Sequence, residues 1–254
     1  MSEEKMSKGT LQFTLWGIPV SIHPSSWVVL ALLGGGLQVS SGGDLLQVAV
    51  FAVMGVLSLL AHEMGHALMG RKLTGSTPTV TLALMGGLTQ LPFAPRTRAG
   101  YFLFVLAGPL GGFALGLLAA IIMGLHVGNL SAGIMYYLCS PFDAIGLMSA
   151  EQYSSLVTAL RDGTMPLAVL QVYSILMLIC MWWSLFNLLP IFPMDGAQLL
   201  YTLTDKLRLC SLIGLICGAG LTLLSVYHGM WFTMMLLGYF TYINWQIFRD
   251  SRGE

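Results

Sequence analysis

His62-Glu63-Met64-Gly65-His66 places two imidazoles four residues apart with a carboxylate beside the first. On an α-helix, positions i and i+4 point about 40° apart and lie one turn along the axis, so both rings can hold a single divalent ion. Glu63 is offset by about 100° and can stand beside a water bound to that ion, as a general base would. The chemistry this pattern suits is metal-assisted hydrolysis, which needs a third protein ligand and an open fourth position. Residues 58–70, S-L-L-A-H-E-M-G-H-A-L-M-G, otherwise look like membrane. An acid at mid-bilayer costs about 2.5–3.5 kcal/mol on insertion scales, so helix packing alone is a poor reason for three hydrophilic side chains there.

Acids are scarce enough to search one by one for the third ligand. Glu3, Glu4, Asp250 and Glu254 are terminal, and Asp44, Asp143, Glu151, Asp162 and Asp205 sit in polar connections. Beyond Glu63 itself, that leaves Asp195, in N-L-L-P-I-F-P-M-D-G (187–196). Pro190 and Pro193 break a helix there and let the carboxylate turn inward. Two imidazoles and a carboxylate favour one zinc ion per chain, although iron or cobalt would also fit.

These residues are positioned by membrane-spanning helices. The chain has 254 residues, of which 56% are hydrophobic and 9% charged, against about 25% charged in a soluble domain. Its mean hydropathy is +0.79. A formal net charge of zero gives no electrostatic case for nucleic acid. Apolar runs predict six spans, near 25–39, 45–70, 99–125, 167–190, 209–227 and 229–248, in an all-α polytopic membrane protein. The first is short and broken by Gly34-Gly35-Gly36. Threading those spans puts Lys5, Lys8, Arg71, Lys72, Arg96, Arg98, Lys206, Arg208, Arg249 and Arg252 on one side and Arg161 alone on the other. That bias makes the first side cytoplasmic, with both termini on it. The second and fourth spans both run toward that side, so His62, His66 and Asp195 should share a depth near the cytoplasmic face.

Between the second and third spans, T-P-T-V-T-L-A-L-M-G-G-L-T-Q-L-P (77–92) combines β-branched alternation, Pro78, Pro92 and a glycine pair. It predicts a short β-hairpin or re-entrant loop near 78–92. Residues 126–165 form a longer external segment that is either loop or interfacial helix. Residues 1–10 lack the layout of a cleavable signal. The expected organisation is one domain over 1–254, with an N-terminal tail over 1–16 and a C-terminal tail over 249–254. None of the four cysteines forms a C-x-x-C pair, and those in apolar runs read as small hydrophobes.

The ordered set G-I-P-V-S-I-H-P-S (17–25), H-E-M-G-H (62–66), M-G-G-L (85–88), A-G-P-L (107–110) and N-L-L-P-I-F-P-M-D-G (187–196) resembles the site-2 protease family of intramembrane zinc metalloproteases (peptidase family M50), nearest its compact bacterial sporulation-type branch. The resemblance implies zinc on His62, His66 and Asp195, with Glu63 as the catalytic carboxylate. It further implies that Asn187 and the loop glycines Gly86 and Gly87 help position substrate. Family members often carry a small polar residue just after A-G-P-L, where this chain has Gly111-Gly112. The activity implied is hydrolysis of peptide bonds in or near the membrane span of a single-span membrane protein, within regulated intramembrane proteolysis. The expected surroundings are the lipid bilayer of a bacterial cell membrane, with regulation either by a separate membrane protein or by prior cleavage of the substrate, because no PDZ-like or CBS-like segment is present. No nucleic-acid partner is expected. The competing reading is a metal transporter or a non-catalytic metal-binding membrane protein. Transporter ligands usually line both halves of a pathway, and the external side offers none.

Overall fold

In the computed structural model of the chain, the described residues are 9–84, 86–144 and 166–251, with 149, 151, 155, 157, 158 and 160 between them. The chain opens with a hairpin of β1 (Leu11–Leu15) and β2 (Ile18–Ile22). Trp16 and Gly17 turn it at φ 50° and 78°. Two successive residues at positive φ suit a two-residue hairpin turn, whose twist then matches the strands. Residues 11–15, within the expected tail over 1–16, are therefore a strand. β3 (Thr79–Ala83) and β4 (Gly86–Gln90) form the hairpin predicted near 78–92. The four strands make one sheet in the order β1-β2-β3-β4. β2 and β3 are parallel, with Val20 opposite Val80 and Ile22 opposite Leu82.

Ile18, Val20 and Ile22 alternate with less buried neighbours along β2, as a strand's period of two requires. They meet Val80, Leu82, Leu59, Met64 and Ala67 in one apolar cluster. The sheet thus rests on the C-terminal part of α2 (Gly42–Thr74). That helix starts with a capping box, in which Ser41 and Asp44 satisfy each other's backbone N–H, and it ends at Gly75 in the left-handed region.

The helical polytopic class holds, with four of the six expected spans long and apolar enough to cross a membrane: α2, α3 (Arg98–Val127), α5 (Leu167–Asn187) and α7 (Leu207–Tyr227). The first expected span, 25–39, yields only α1 (Pro24–Leu33), of 10 residues. That is about 15 Å of helix, half of an apolar core about 30 Å thick. Gly34 follows it, then Gly35 at φ 93°. The last expected span is α8 (Trp231–Asp250), of 20 residues, which carries Asn244, Gln246, Arg249 and Asp250 and is less apolar. α4 (Leu130–Ala144) occupies part of the long connection expected over 126–165, while Arg161 and Asp162 lie outside the described residues.

The direction of α1 follows from its contacts with α2. Leu30 lies over Gly55, and Gly34 against Phe51, so α1 runs antiparallel to α2. The pairing of β2 with β3 holds the first hairpin at the end where α2 finishes, and Arg71 Nη1 donates to Trp16 O at 2.6 Å. Residues 24–41 therefore lead from that end back to the start of α2. α2 and α3 touch through glycine: a Cβ on Gly65 would strike Ala107 O, and one on Gly111 would lie 2.5 Å from Ala61 O. Lipid supplies no hydrophobic drive between helices, so such close van der Waals contact is what holds them.

Candidate metal centre

His62, Glu63 and His66 lie on α2 with 3%, 5% and 7% of their surfaces exposed. Asp195, 7% exposed, is the first residue of α6 (Asp195–Thr204). It stands at the positive end of that helix, where a carboxylate is favoured. α2 and α5 run in the same direction, and a short loop from the end of α5 delivers Asp195 to the histidines. The Oδ2 atom lies 3.1 Å from His62 Nε2 and 3.3 Å from His66 Nε2, and the two Nε2 atoms are 3.2 Å apart. Sequence reasoning brought these residues to one depth, and the structure closes them into a triangle.

The triangle fits a metal ion. Zinc holds nitrogen and oxygen ligands at about 2.0–2.1 Å, and tetrahedral geometry then sets ligand atoms about 3.3 Å apart. The three observed sides match that spacing. His66 Nδ1 lies 2.9 Å from Phe104 O, a carbonyl that can only accept, so the proton sits on Nδ1 and the Nε2 lone pair faces the triangle. Asp195 Oδ2 is buried beside both rings without hydrogen-bond alignment to either. Lone pairs converging on one point repel unless a cation is shared among them. Among the described residues, these three form the group of His, Cys, Asp or Glu side chains able to hold an ion.

The triangle opens onto a cavity of about 550 Å³, lined among others by Glu63, Gly86, Gly87, Asn187 and Gln198. Glu63 is clamped from β4. Thr89 Oγ1 lies 2.6 Å from Glu63 Oε2 and 3.0 Å from its main-chain oxygen. A Cβ on Gly87 would occupy the space of the Glu63 carboxylate, whereas one on Gly86 would meet open space. Gly87 is thus explained by the approach of β4 to Glu63, and Gly86 lines the cavity unpacked. Asn187 also lines it, with Nδ2 donating to Trp183 O on its own helix at 2.8 Å. On α3, Gly108 lies so close to the His66 ring that a Cβ there would overlap it.

Sequence reasoning missed Thr89, Tyr101, Phe104 and Gln198. Thr89 is two residues beyond Gly87 and shares its strand face. Tyr101, Phe104 and Gly108 recur at helical spacing on α3, and Gln198 follows Asp195 by three. Tyr101 OH donates to Gln198 Oε1 at 3.0 Å across the cavity wall. The spacings were readable once Gly87, Gly108 and Asp195 were known to face one place, which the sequence does not state.

The profile of Peptidase family M50 matches residues 50–213, a stretch that holds the whole triangle. Rip3 of Mycobacterium tuberculosis is 29% identical over 192 residues, covering 72% of this chain and 40% of that protein. A zinc metalloprotease of Methanocaldococcus jannaschii is 23% identical over 194 residues, covering 76% of this chain and 45% of that protein. The chain therefore spans less than half the length of these relatives. The fold is that of a site-2 protease from Methanocaldococcus jannaschii, with a TM-score of 0.53 at 20% identity, over 96% of this chain and 94% of that one. The metal-binding triangle, the polytopic helical fold and the profile match agree: this chain belongs to peptidase family M50.

Proposed function

We propose that the chain is an intramembrane zinc metalloprotease, which hydrolyses peptide bonds in or near the membrane span of single-span membrane proteins. The observation that carries this reading is the triangle of His62, His66 and Asp195 with Glu63 held one residue away, on a helix apolar enough to cross a membrane. Zinc bound to those three residues would supply a Lewis acid and a water that ionises near neutral pH. Glu63 then takes a proton from the attacking water and returns it to the leaving amine. Thr89 holds Oε2, which leaves Oε1, the oxygen beside Gly87, to carry that proton. Gly86 and Gly87 keep β4 slender on the cavity side, and Asn187 helps position the scissile segment.

A substrate helix must unwind before its carbonyls can be attacked, because they are engaged in i to i−4 bonds. β4 ends the sheet and lines the cavity, so its outer edge offers an unwound substrate main-chain partners by strand addition. The excess of Lys and Arg on the α2 C-terminal side supports a site facing the cytoplasm. The test is cleavage of a single-span substrate by purified protein in detergent. Wild type should cut, while a chelated sample and Glu63→Gln should not, the latter still binding zinc. Cleavage unaffected by Glu63→Gln would overturn the assignment.

A further inference from the structure

The last helix holds a buried polar side chain that neither the histidine motif nor the matched segment accounts for. Asn244 of α8 is 0% exposed. Its Oδ1 accepts from Phe192 N at 3.2 Å, and its Nδ2 donates to Phe192 O at 2.9 Å and to Phe240 O at 2.8 Å. One amide thus grips both main-chain groups of a single loop residue, and its own oxygen and both N–H groups have partners. A buried amide is costly unless so satisfied. Phe192 is three residues before Asp195, and the intervening chain is short and braced: Met194 N donates to Ile191 O at 2.8 Å, while a Cβ on Gly196 would strike Leu188 O. α7 closes over the same point, where a Cβ on Gly214 would meet Asn244 Oδ1 and lie 3.0 Å from Pro190 O. One turn before Asn244, Phe240 lines the metal cavity.

We infer that Asn244 is a positioning residue for the metal centre: through Phe192 it fixes the loop that carries Asp195, so the C-terminal hairpin of α7 and α8 sets the placement of the third ligand. This rests on the proposed ligand set. Loss of the clamp frees the loop, and Asp195 then spends its time away from the two imidazoles. Residues that orient a ligand in this way are worth about 10–100-fold in metal affinity.

The test uses the full chain in detergent, with zinc affinity from competition against a chromophoric chelator and the visible bands of the cobalt-loaded protein. Asn244→Leu keeps the bulk and loses the bonds. Asn244→Ser is too short to reach Phe192 and fits without strain, so it decides if the first variant does not fold. Both should bind zinc about 10–100-fold more weakly and shift the cobalt bands in the direction of Asp195→Asn. Asn244→Asp, protonated where it is buried, keeps a donor and an acceptor and should stay within about threefold of wild type. Wild-type affinity and unchanged bands in the folded Leu or Ser variant, at whatever melting temperature, would overturn the inference and leave the ligand set standing. If Asp195→Asn itself changes neither readout, the ligand set has failed and the inference falls with it.

Discussion

At the level of single residues, the centre depends on atoms that are absent as much as on ligands that are present. Gly108 has no Cβ because the His66 ring occupies that space, and Gly87 has none because the Glu63 carboxylate does. The prediction at Gly108 has an informative sign. In an ordinary helix interior, Gly→Ala stabilises by about 0.5–1 kcal/mol. Here the added methyl must displace the ring, so Gly108→Ala should lower zinc affinity by about tenfold or more, the scale of other changes that disturb ligand orientation. A chelator competition measures it, and unaltered affinity would show that the ring yields cheaply.

At the level of elements, β4 joins the sheet to the chemistry. It pairs with β3 on one edge, lines the cavity, and reaches Glu63 through Thr89. General-base catalysis needs a carboxylate held in position, so Thr89→Val should reduce kcat by about tenfold or more, each 1.36 kcal/mol on the barrier being a factor of ten. Zinc content should not change, because Thr89 does not touch the triangle. Thr89→Ser restores the hydroxyl and should recover most of the rate. Equal loss in the serine variant would mean that the threonine acts by packing and not through its oxygen.

At the level of the whole molecule, the ion would bridge elements far apart in the chain, since α2 supplies two ligands and the start of α6 the third. A ligand that binds only the folded state stabilises it, by about 2.7 kcal/mol at a hundred times its dissociation constant. Chelation should therefore lower the melting temperature, and zinc should restore it. Protons compete for the same lone pairs, so zinc affinity should fall as pH drops. Zinc titrations at two pH values below neutrality check the direction. A melting temperature insensitive to both chelator and zinc would mean that no ion bridges these elements.

Much of this was legible without coordinates, for reasons that are local. Hydrophobic runs mark spans, the i, i+4 spacing puts His62 and His66 on one face, and the scarcity of acids leaves Asp195 as the third ligand. Chain parity then sets all three at one depth. The count of spans was less secure, because a glycine run ends α1 early and polar residues in α8 dilute an apolar pattern. What the tertiary structure alone decided is which segments distant in sequence touch. The parallel pairing of β2 with β3, the hydroxyl of Thr89 on Glu63, the fit of Gly108 against His66 and the grip of Asn244 on Phe192 leave no periodic trace. Each is a contact between one residue and another far along the chain, and hydropathy or helical spacing cannot register such a pair until the elements have packed.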